Sequence, residues 1–104
     1  SMKKANVRGR LVKYGSGDAR LVIRNEGPAE AKDVRIALDG APPAQHPVWL
    51  GNVSDGPIQV LGAGSETGSL LALSQQSPDK MAFEVSWENP SGERDSWSTE
   101  IRVL

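Results

Sequence analysis

His46 is the one imidazole in 104 residues, so acid–base chemistry near neutral pH would have to run through it. It stands in Ala41-Pro42-Pro43-Ala44-Gln45-His46-Pro47, a proline-rich connection of extended character. A solvent-exposed side chain is expected there, and a Ser–His–Asp arrangement would need His46 in a pocket beside a serine. The run Gly62-Ala63-Gly64-Ser65-Glu66-Thr67-Gly68 matches neither G-x-S-x-G nor G-x-G-x-x-G. No strand-to-helix context follows it, and it reads as a turn into a strand. One histidine and no cysteine cannot assemble the usual zinc sets. Asp39, Asp55 and Asp79 are dispersed, without a D-x-[DN]-x-[DN]-G loop, and would meet calcium only if loops at one end of the fold converged. Glu84, Glu88 and Glu100 fall at outward strand positions, where a flat sheet offers no cleft for a glycosidase pair. Arg35 and Arg102 are expected to pair with these acids across the sheet. No catalytic residue, cofactor or metal ligand is assigned.

Two features suit binding. Trp49, between Pro47 and Gly51, either plugs the open side of the fold or stacks on a sugar or a partner's proline. The basic residues are the second. Residues 1–35 hold nine Lys/Arg against four Asp/Glu, a surplus of five, and residues 36–104 hold three against nine, a deficit of six. Arg8, Arg10, Arg20 and Arg24 are expected on the outer side of the first sheet, and Arg8, Arg10 and Arg24 join Trp49 as candidate partner-binding residues. Nucleic acid is not expected: the net charge is −1 and that side carries only Tyr14 as a stacking platform. Charge separation of this sort also allows weak head-to-tail association at low salt, and open strand edges give a second route to it. The triplet Asn52-Val53-Ser54 fits a glycosylation sequon, which matters only in a glycosylating pathway.

The elements that must position these residues are strands. Ala19–Leu38 reads strand, turn, strand: Leu21 and Ile23 alternate with Arg20, Val22 and Arg24, Asn25-Glu26-Gly27-Pro28 turns the chain, and Val34, Ile36 and Leu38 alternate with Arg35 and Ala37. Strand A is expected at Asn6–Tyr14, B at Ala19–Asn25, C at Asp33–Leu38, and a short edge strand at Val48-Trp49-Leu50. Ile58–Leu61 leads through Gly62-Ala63-Gly64 to strand E at Glu66–Leu73. Met81, Phe83, Val85 and Trp87 face inward on strand F, and Trp97, Thr99, Ile101 and Val103 on strand G. Asn89-Pro90-Ser91-Gly92 is the hairpin loop between them. About seven strands with turns every 8–12 residues predict an all-β, immunoglobulin-like antiparallel sandwich.

A chain of this length forms one domain with enough core to fold without staples. Residues 1–5 read as a tag scar and tail, and residues 6–104 as the domain. No apolar run reaches the roughly 18 residues of a membrane span. Lack of cysteine suits a reducing cytosol and many envelope domains alike.

The run Leu21-Val22-Ile23-x-Asn25-x-Gly27-Pro28-Ala29-x-Ala31-x-x-Val34 resembles CARDB-type and related bacterial immunoglobulin-like accessory domains. So do Leu61-Gly62-Ala63-Gly64-Ser65 before strand E and Trp87 followed by Asn89-Pro90-Ser91-Gly92. The resemblance covers residues 6–104. It implies a spacer or interaction module within a larger bacterial protein, partnered by a protein or by neighbouring domains, with an envelope or secreted location slightly favoured. A non-catalytic accessory role is therefore expected, ahead of a carbohydrate-binding module using Trp49 and of an enzyme with loop carboxylates.

Overall fold

The computed structural model describes residues 3–15, 17–48, 57–73 and 77–103. Seven strands fold into two antiparallel sheets: β1 (Val7–Lys13), β2 (Asp18–Asn25), β3 (Ala31–Leu38), β4 (Ile58–Leu61), β5 (Glu66–Ala72), β6 (Lys80–Glu88) and β7 (Arg94–Arg102). A three-stranded sheet, β1-β2-β5, faces a four-stranded one, β4-β3-β6-β7. This is an immunoglobulin-like sandwich in which the fourth strand pairs with β3 rather than with β5.

Alternation builds the core. Leu21 and Ile23 from β2, Val34 and Leu38 from β3, Phe83, Val85 and Trp87 from β6 and Ile101 from β7 are all buried between the sheets. Ile36 and Trp97 pack against them at the margin. The Phe83 and Trp97 rings meet edge to face, their centroids 6.2 Å apart. Opposite them Gly9 is needed for its lack of a side chain, since a Cβ there would lie 2.5 Å from the Phe83 ring.

Two buried asparagines tie off one end. Asn25 Oδ1 accepts the Asn6 and Gly27 amides at 3.1 and 3.0 Å, and its Nδ2 donates to the Ala29 and Leu61 carbonyls at 2.8 and 2.9 Å. All four of its hydrogen-bonding positions are therefore filled in an apolar setting. Gly27 fits beneath the N-terminal segment, where a Cβ would stand 2.6 Å from the Lys4 carbonyl. Asn89 Oδ1 accepts the Ala5 amide at 2.9 Å, and its Nδ2 donates to Asp95 at 2.8 Å.

Several expectations are corrected. Residues 1–5 are not all tail: Ala5 is part of the core. Strand C begins at Ala31, two residues early, because a register shift between Lys32 and Arg35 absorbs Asp33, whose φ is +46°. Ile58–Leu61 is a strand in its own right, beside β3. Of the edge strand expected at Val48-Trp49-Leu50, Val48 lies in a turn and is buried, and Trp49 and Leu50 fall outside the described residues. Trp87 is fully in the core, whereas Trp97 is half-buried.

Candidate functional site

The outer face of the three-stranded sheet follows from its register. Arg8 stands opposite Arg24, Arg10 opposite Val22, and Val12 opposite Arg20; on the far side of β2, Arg20 meets Leu70, Val22 meets Gly68, and Arg24 meets Glu66. Directly opposed residues share a face. All four arginines anticipated there, Arg8, Arg10, Arg20 and Arg24, therefore lie on one surface. Glu66 is the carboxylate set among them: its Oε1 is 3.2 Å from Arg10 Nη2 and 3.9 Å from Arg24 Nη1. Arg8 curls to the sheet margin, where its Nη1 donates to the Val7 carbonyl at 3.0 Å and its guanidinium stands 5.0 Å from the Trp97 ring centroid. Arg20 has no carboxylate partner among the described residues.

Gly68 makes room for Arg20. A Cβ at that position would lie 3.0 Å from Arg20 Nη2, so the guanidinium rests on bare backbone. Val22, although it faces outward, is buried, as expected beneath long arginine stems. A shallow cleft of about 230 Å³ results, lined by Arg10, Val12, Tyr14, Arg20, Glu66 and Gly68. Tyr14 closes one end with its ring half exposed. The cleft offers guanidinium donors in excess of local acceptors, over an apolar floor, and so suits a carboxylate-bearing ligand. Sequence reasoning placed the arginines but missed Glu66, Gly68 and Val22. A glycine inside a strand was the available signal for close approach by another group.

The other outer face differs. The bulged Asp33 accepts Arg35 Nε at 3.1 Å and Arg94 Nη1 at 2.8 Å. These bonds, with Arg35 the leading cause, hold its carboxyl below the usual range. Arg35 thus pairs with Asp33 rather than with the glutamates of β6 and β7, because the bulge turns that carboxylate toward it. Glu100 pairs with Lys80 at 3.7 Å, and no ion pair to Arg102 forms among the described residues. A depression of about 400 Å³ lies on this face among Ala37, Gly40, Ala82, Glu84, Ser98 and Glu100.

His46 is the main correction. It is buried, with Nε2 2.8 Å from Asp39 Oδ2. Asp39 adopts φ +50° at the end of β3, and its Oδ1 accepts the Ala82 amide at 2.8 Å. That amide bond, then His46, holds the Asp39 carboxyl below its ordinary value. A 3-10 turn at Pro43–Gln45 folds the imidazole back into this niche. The Val48 amide donates to Nδ1 at 3.3 Å, and Nε2 faces the carboxylate. With both nitrogens engaged, His46 has no lone pair free for a substrate proton, and the pair works as a loop clasp. Among the described residues no three His, Asp or Glu side chains gather as a metal site. Trp49, Asp55 and the sequon Asn52-Val53-Ser54 lie outside them. No helix in the described residues is long and apolar enough to cross a membrane.

Fold and face together define a cysteine-free immunoglobulin-like sandwich with an arginine-rich sheet. The chain belongs to the family described as Domain of unknown function (DUF8453), whose family model matches residues 6–103. No curated protein matches it.

Proposed function

We propose that this domain is a non-catalytic accessory module that binds an acidic protein partner through the outer face of β1-β2-β5. The observation that carries the reading is four arginines on one sheet face against two carboxylates, Asp18 and Glu66, of which Glu66 pairs with Arg10 and Arg24. Guanidinium groups held on strands are preorganised and lose little freedom when a carboxylate arrives. The filled core between the sheets and the engagement of both His46 nitrogens favour recognition over chemistry. The resemblance to bacterial accessory domains fits the same role within a larger protein, shared with neighbouring domains.

The test is titration of the isotope-labelled domain with a ten-residue Asp/Glu-rich peptide, followed by arginine Nε and backbone resonances. Shifts centred on Arg10, Arg20, Arg24 and Tyr14, weakening as salt rises, are the expected result. Shifts confined to the four-stranded sheet, or none at low salt, would overturn the proposal.

A further inference from the structure

The arginine face ends at an open strand edge, and the hydrogen-bond parity of that edge is legible. The Tyr14 amide donates to the Asp18 carbonyl at 2.8 Å, and the Glu26 amide donates to the Asn6 carbonyl at 2.8 Å. Asn6 and Tyr14 thus bracket β1 with their backbone groups turned toward β2. In an antiparallel ladder this orientation repeats every second residue. Arg8, Arg10 and Val12 therefore bond to β2, and Val7, Gly9, Leu11 and Lys13 turn their N–H and C=O groups away from the sheet. No described strand pairs with β1 on that side. In the free domain Arg8 Nη1 covers one of these groups, the Val7 carbonyl.

The four edge strands are not equivalent. β4 has only four residues. β5 gives its Ala72 amide to the Val48 carbonyl at 2.9 Å, which closes part of its edge. β7 mixes signs along its length, with Arg94, Asp95, Glu100 and Arg102. β1 carries Arg8, Arg10 and Lys13 and no acid. It is therefore the edge whose charge selects for one kind of strand.

Resting on the acidic-partner reading, we propose that β1 accepts an extended peptide segment as an additional strand, with acidic residues alternating with apolar ones. The peptide backbone bonds to the outward amides and carbonyls of Val7, Gly9, Leu11 and Lys13. Side chains on its outer face lie beside Arg8 and Arg10, where Asp or Glu is favoured. Those on its inner face reach the open flank of the sandwich, where Leu11 and Trp97 are each only partly buried, and apolar residues are favoured there. A neutral or basic strand would bring no carboxylate to Arg8 and Arg10, so the same edge discriminates against it.

The experiment uses a seven-residue peptide alternating Glu with Val and two N-methylated versions, each methylated at one of the two alternating sets of amides. Strand addition predicts that methylating one set weakens binding roughly tenfold or more while methylating the other leaves it nearly unchanged. It also predicts slower amide hydrogen exchange at Val7, Gly9, Leu11 and Lys13 on binding. Equal affinity of all three peptides, without new protection at those amides, would overturn strand addition and leave the arginine-face reading standing. Absence of binding by every peptide, and by the Asp/Glu-rich peptide as well, would overturn both.

Discussion

The two outer faces of this sandwich hold similar numbers of basic groups and use them differently. On the four-stranded sheet a bulge turns Asp33 outward to hold Arg35 and Arg94, and Lys80 meets Glu100. Outer-face strand charges on that sheet nearly cancel: Lys32, Arg35, Lys80, Arg94 and Arg102 against Asp33, Glu84, Glu88 and Glu100. On the outer face of the three-stranded sheet Arg8, Arg10, Arg20 and Arg24 stand against Asp18 and Glu66. Exposed pairs stabilise weakly, so the cancelled face reads as a solvated surface. An uncancelled face repels itself in the free protein and is relieved by a partner of opposite sign. That difference is what favours the three-stranded face in the proposed reading.

The largest expected effect removes the support common to both. Asn25→Ala leaves the Asn6 and Gly27 amides and the Ala29 and Leu61 carbonyls without their partner. A loss of about 3 kcal/mol or more is expected, read as a fall in Tm of roughly 10–20 °C. A variant melting within a few degrees of the parent would show that Asn25 is not the tie between the N-terminal segment and the sandwich. Next comes charge reversal. The pair Arg10→Glu and Arg20→Glu should weaken an acidic peptide by about thirtyfold, whereas Arg35→Glu with Arg94→Glu should change its affinity less than about threefold. Equal losses from both pairs would erase the contrast and leave only non-specific attraction.

Acid separates two carboxylates that resemble each other in sequence. Asp33 and Asp39 both adopt positive φ, and both are held below the ordinary value. A depressed folded-state value means that stability is fully present above the unfolded carboxyl pKa of about 3.9 and is lost as pH falls through the lower folded value. The Asp39 contribution rests on the Ala82 amide and the buried His46, so salt should leave much of it in place. The Asp33 contribution rests on exposed guanidinium groups, and salt should remove it. Denaturation midpoints of Asp39→Asn and Asp33→Asn between pH 5 and pH 2, at low and high salt, check the distinction. Asp39→Asn should flatten the acid limb at both salt levels, by less than about 1 kcal/mol given its half-exposed carboxylate. Asp33→Asn should flatten it only at low salt, and identical salt responses would refute the difference.

How much of this was legible before the fold was known depends on the range of the interaction. The β2 and β6 alternations were plain because a half-buried strand writes its two environments into neighbouring residues, and Leu21, Ile23, Phe83 and Val85 lie where that pattern put them. The arginine face was legible for the same reason. His46 was misread because its burial depends on Asp39 reaching φ +50° and on the 3-10 turn that follows, which alternation does not encode. The bulge at Asp33 was likewise hidden, and with it the pairing of Arg35, since one inserted residue changes the facing of its neighbour without changing composition. Gly68 was visible as a glycine within a strand, but the arginine it accommodates arrives from β2, 48 positions earlier in the chain.

The smallest expected effect is also the most discriminating, because its sign differs between the faces. Arg94→Gln removes a guanidinium that bonds Asp33 Oδ2 and the Ser86 hydroxyl, so the variant should melt about 1–3 °C lower at low salt. Arg20→Gln removes a guanidinium with no carboxylate partner among the described residues and with three other arginines on its face. Relief of that repulsion should raise the melting temperature by a similar amount, about 1–3 °C. Both shifts should shrink toward zero as salt rises from about 20 mM to 500 mM, where the screening length falls to a few ångströms. If Arg20→Gln lowers Tm as Arg94→Gln does, the arginines are stabilising where they stand, and the three-stranded face is no more poised for a partner than the other.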